Sequence, residues 1–129
     1  MLQEEINLLE KLEELKKLLV QSRTSAKFPV DLLTEIINNA SEIRRQSCFT
    51  DVQDELTKYC NSLHKLELKA KELVSEFNGT IEALNMGFIM AEEVPAITFD
   101  NISNFFNEKS TEIVLFRLKN LAENEKNMR

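Results

Sequence analysis

The sequence predicts an all-α protein, an elongated helical bundle of about five helices built around one long heptad-patterned helix. Three observations carry this. Two glycines and two prolines in 129 residues are too few for a sandwich or barrel, which needs a special turn about every ten residues. Apolar residues recur at steps of three and four. Between them stand Glu, Lys and Gln, which are good helix formers. One domain fits the length, and 43% apolar residues suffice for a core without staples.

The first helix is expected over 2–22. Leu8, Leu12, Leu15 and Leu19 form its stripe, and Ile6, Leu9 and Leu18 widen it beyond a two-stranded seam. Small and polar residues from Ser22 to Lys27 break the pattern. Pro29 suits the first position of a second helix over 29–46. Asp31 and Glu35 lie near its positive end and Arg44 and Arg45 in its last turn. Leu33, Ile36, Ile37, Ala40 and Ile43 make its apolar face.

A third helix is expected over 51–78. Thr50 and Gln53 have capping-box spacing at its start. Val52, Leu56, Tyr59, Leu63, Leu66, Ala70, Leu73 and Phe77 repeat in heptads, and Asn78-Gly79 offers a left-handed cap. Residues 1–79 thus form a three-helix core, on which a less regular helical segment, 80–129, packs. In that segment Thr80–Ala91 reads as a short helix and Val94–Ile97 as extended, because Pro95 disfavours helix for its predecessor. Asp100–Asn107 reads as a turn or two of helix and 111–126 as a last helix. The β-branched opening Ile113-Val114 leaves a strand open within 94–116.

The third helix would be about 42 Å long, more than the roughly 36 Å width of a sphere of this many residues. Ala70, Leu73, Val74 and Phe77 then outrun the second helix, and the C-terminal segment or another chain must cover them. Met86, Phe88, Ile89 and Met90 read first as that cover, and second as an adaptable binding patch.

A net charge of −6 disfavours direct nucleic-acid contact, and the basic groups Arg44-Arg45 and Lys65, Lys69, Lys71 stand among glutamates. Cys48 and Cys60 make no disulfide framework. The chain begins charged and periodic, without a leader pattern, and no apolar run approaches a membrane span. The expectation is an intracellular protein, cytoplasmic or nuclear, in which N-x-[ST] triplets at Asn39, Asn78 and Asn101 are chance.

Catalytic signatures fail for lack of parts. No glycine loop cradles a phosphate, and the sole histidine, His64, flanks the heptad seam. Cys60 and His64 share a helix face but fall short of four zinc ligands, so Cys60 reads as a small packed residue. Carboxylate pairs such as Glu4-Glu5 read as solvated, and Glu67 as lying on the outer side of the third helix. Neither catalysis nor a cofactor is expected.

The function expected is a non-catalytic helical module for protein–protein interaction, or a subunit of a larger assembly, forming homo- or hetero-oligomers through apolar faces. Leu66, Leu73, Phe77, Met86, Met90, Phe105 and Phe106 are the candidate contact residues. An adaptor in a chromatin or nucleic-acid-associated complex, without touching nucleic acid, is the alternative. A small helical enzyme or metal-binding bundle comes last.

Overall fold

The computed structural model describes residues 1–21, 28–48 and 54–127. Among these residues five helices follow one another: α1 Gln3–Gln21, α2 Val30–Ser47, α3 Asp54–Asn85, α4 Val94–Asn107 and α5 Lys109–Asn127. A short 3₁₀ turn, Ala91–Glu93, leads into α4. No strand occurs among the described residues, so 94–116 is helical on both sides of a single extended residue, Glu108, where a strand was left open. The proposed cap at Thr50 and Gln53, and Val52 of the seam, lie outside the described residues.

Side-chain pairs between the helices fix their directions. Cys48 at the end of α2 meets Cys60 early in α3, while Phe28, just before α2, stacks on Phe77 late in α3 with ring centroids 5.1 Å apart. The two helices therefore run antiparallel. The same reasoning makes α5 antiparallel to α3, since Lys69 lies near Glu108 and Arg117 lies over the Tyr59 ring. The core sits between them: Leu8, Leu12 and Leu15 of α1, Leu33, Ile36, Ala40 and Ile43 of α2, and Ile102, Phe105, Val114 and Leu118 from the last two helices. Tyr59, Leu63, Leu66, Ala70, Leu73 and Phe77 of α3 are all buried among them.

Four expectations change. First, α3 does not stop at Gly79. It runs to Asn85, which makes it about 48 Å long. Gly79 keeps an ordinary helical φ, and Gly87 (φ +79°) is the left-handed residue. The Gly87 N–H donates to the Leu84 carbonyl at 3.2 Å and the Phe88 N–H to the Ala83 carbonyl at 2.9 Å. That is a Schellman closure with Gly87 at C′. A glycine stops a helix only where the left-handed conformation is taken up, and the extra turns outweigh the cost of about 1 kcal/mol at Gly79. Residues 80–85 thus belong to α3 and form no separate helix.

Second, Val94–Ile97 opens α4 instead of being extended. Pro95 sits in the first turn, where no intrahelical N–H is lost. Val94 is wholly buried, and this burial outweighs the local preference against helix before proline. Third, the end of the α3 seam is covered not by the C-terminal segment alone: Phe28, just before α2, lies on Phe77, while Phe105 of α4 lines one hollow with Leu73. Fourth, Glu67 faces inward. It is 4% exposed and accepts a hydrogen bond from Arg44 Nη1 of α2.

Candidate functional site

Four of the seven candidate contact residues, Leu66, Leu73, Phe77 and Phe105, are buried inside this chain's own bundle, where no partner reaches them. Heptad spacing marks a face that must be buried and does not say by what. Phe106 packs half-buried against the core, with its ring edge-on to Phe105. Met86 and Met90 alone among the seven are exposed, and with Phe88 they crown the turn between α3 and α4.

That tip is built rigidly. The Schellman bonds at Gly87 close its first half. Glu93 closes the second by accepting the Met90 N–H at 2.8 Å. Met86, Phe88 and Met90 are 63, 75 and 70% exposed, so the segment does not cover α3 as first expected. The residues of 79–93 include no buried one. The tip therefore projects from the core on the last turns of α3.

A second feature surrounds the cysteines. Cys48 and Cys60 form a disulfide with Cα atoms 6.0 Å apart, which corrects the reading of Cys60 as an unpaired packed residue. The bond lines a hollow of about 420 Å³ with Ser41, Arg44, Arg45, Asn61 and His64. The hollow looks cationic, yet its arginines are already engaged. Arg44 pairs with Glu67 and Arg45 with Glu42. Hydrogen bonds from Arg45 and Gln46 pull the Glu42 carboxyl down to about 2.

A third feature is a cleft of about 580 Å³ between the first turns of α3 and the length of α5. Lys58 and Tyr59 form one wall. Lys109, Glu112, Ile113, Phe116, Arg117 and Leu121 line the rest. Phe116 is 70% exposed. Lys58, Lys109 and Arg117 form no ion pair among the described residues, and the buried Arg117 Nε has no hydrogen-bond partner. The Arg117 guanidinium carbon lies 5.0 Å from the centroid of the Tyr59 ring. This cleft was missed in the sequence, although a signal was present. Val114 and Leu118 satisfy the core face of α5, which leaves Ile113, Phe116 and Leu121 as a second, surplus stripe.

Beneath the cleft, Tyr59 and Glu5 are both buried and joined, the phenol donating to Glu5 Oε2 at 2.7 Å. The other carboxylate oxygen accepts the Leu2 N–H at 3.0 Å. Glu5 was expected to be solvated with Glu4. Burial, and then the Glu5 charge, push the phenol pKa of Tyr59 well above its ordinary value. Both carboxylate oxygens of Glu5 are thus used, one tying α1 to α3 and the other closing the start of α1, which is a structural role.

No family model, curated protein or solved structure matches the chain. Among the described residues, no helix is long and apolar enough to cross a membrane.

Proposed function

We propose that the chain is a non-catalytic helical interaction module of a larger assembly, and that it engages a protein partner through the tip of Met86, Phe88 and Met90. The supporting observation is that three large apolar side chains are each more than 60% exposed on one hydrogen-bonded turn. Covering such side chains is worth about 1.5–3 kcal/mol apiece. Because the turn is already ordered, little entropy is lost on docking. Methionines adapt to irregular partner surfaces, and an aromatic residue between them suits the centre of a contact. The net charge of −6 favours a protein over nucleic acid as the partner, in agreement with an adaptor that does not itself touch DNA or RNA.

The disulfide and the cytoplasmic or nuclear setting make opposite demands. Glutathione keeps most cytosolic thiols reduced, whereas a bond such as Cys48–Cys60 persists in oxidising surroundings. Alkylation of intact cells, followed by mass analysis of the two cysteines, decides between them.

A photo-crosslinking phenylalanine analogue at position 88 tests the tip. A discrete protein adduct is expected in cells from position 88 and none from the solvent-facing position 13 of α1. No adduct at 88, or equal adducts at both positions, overturns the reading.

A further inference from the structure

The cleft between α3 and α5 goes beyond the tip in both place and chemistry. Three cations, Lys58, Lys109 and Arg117, line it against the single carboxylate of Glu112, in a chain whose net charge is −6. Among the described residues the cleft thus gathers three cations beside one carboxylate, and none of the three forms an ion pair. Between the cations lies the surplus apolar stripe of α5, with Phe116 largely exposed.

From this charge pattern we infer that the cleft receives an acidic amphipathic helix of a partner protein. Its apolar stripe lies on Ile113, Phe116 and Leu121, and its carboxylates meet Lys58, Lys109 and Arg117. The lining residues run from Lys109 to Asn124, about 22 Å along α5, which matches roughly four turns of helix. A ligand with one carboxylate would satisfy one cation and leave the others unpaired. Cations spread along an open groove call for carboxylates spread along a ligand, and an apolar stripe between them calls for side chains at helical spacing. The Arg117 guanidinium, held over the Tyr59 ring, fixes the position of one of these charges along the groove.

The probe is a fluorescein-labelled peptide of roughly 16 residues, with leucine and phenylalanine at helical spacing and glutamates on both flanks. Two control peptides accompany it, one scrambled with the same composition and one carrying lysines for the glutamates. Fluorescence anisotropy with the full chain should show the acidic amphipathic peptide binding about tenfold or more tighter than either control, with the bound peptide gaining helical circular dichroism. The double variant Lys58→Glu/Lys109→Glu should weaken binding at least about tenfold, since both lysines are exposed and their reversal spares the fold. Phe116→Ser should also weaken it, while Lys119→Glu, on α5 but outside the cleft, should not. Equal binding of the scrambled peptide, indifference to the lysine reversals, or binding of palmitate in place of the peptide would each overturn the inference. Crosslinking from position 88 is unaffected by these variants, so the cleft and the tip fail separately.

Discussion

Tyr59 donates its phenolic proton to Glu5 across 2.7 Å of buried space, joining the first turn of α1 to an early turn of α3. Burial raises the phenol pKa above the ordinary value of about 10, and the Glu5 charge adds to the shift. The folded state thus holds the proton more tightly than the unfolded one. The resulting stability is fully present below about pH 10 and is lost as pH climbs toward the raised folded value. Tyr59 is the sole tyrosine, so tyrosinate absorbance reports on it alone. No tyrosinate should form in the native protein at about pH 10, and ionisation should coincide with unfolding. Half-ionisation near pH 10 with the helices intact would show that the phenol is not buried as described.

Arg44 and Glu67 join α2 to α3 asymmetrically. The carboxylate is almost wholly buried, while the guanidinium side chain is 35% exposed. Arg44→Ala leaves a buried charge without its partner and should cost on the order of 3 kcal/mol. Glu67→Ala leaves an arginine that can turn toward water, and should cost about 1 kcal/mol. Urea denaturation of the two variants checks the order. Equal costs would mean that Glu67 is better hydrated than its position implies.

Much of this bundle was legible in the sequence because burial follows periodicity. Leu8, Leu12 and Leu15, or Leu63, Leu66 and Ala70, occupy the core positions that their spacing assigns. What periodicity could not say is which neighbour covers a stripe. Phe77 was expected to need the C-terminal segment or another chain, yet Phe28 lies on it. Polar residues were misplaced for a related reason. Glu5 and Glu67 read as solvated because their partners, Tyr59 and Arg44, are 54 and 23 residues away in sequence. Met86 and Met90 were legible as a patch but not as exposed. Their exposure depends on where α3 ends, and the sequence offered two glycines for that point.

Those two glycines make opposite predictions. At Gly87 the φ of +79° is one that side chains with a Cβ rarely adopt, so Gly87→Ala should destabilise the fold by about 1–2 kcal/mol. At Gly79 the backbone is helical and open space surrounds an added Cβ, so Gly79→Ala should stabilise by up to about 1 kcal/mol. Thermal melts of both variants are the check. Stabilisation at 87 and loss at 79 would restore the shorter third helix.

The last prediction concerns Cys48 and Cys60, whose bond closes a loop of separation 12 between the end of α2 and an early turn of α3. As a small packed residue alone, Cys60 would lose only about 1 kcal/mol on replacement by serine. Paired, the two cysteines restrict the unfolded chain, and loop-closure entropy for this span amounts to about 3 kcal/mol. Cys48→Ser, Cys60→Ser and the double variant should therefore each lose about this much, and the double no more than either single, because all three remove the same constraint. Dithiothreitol should destabilise the unaltered protein by a similar amount and leave the variants unchanged. Guanidinium denaturation with and without reductant measures each of these. If reduction leaves the unaltered protein's midpoint where it was, the bond contributes nothing to the α2–α3 hairpin. The hairpin would then rest on Arg44–Glu67, Phe28–Phe77 and the leucines between them.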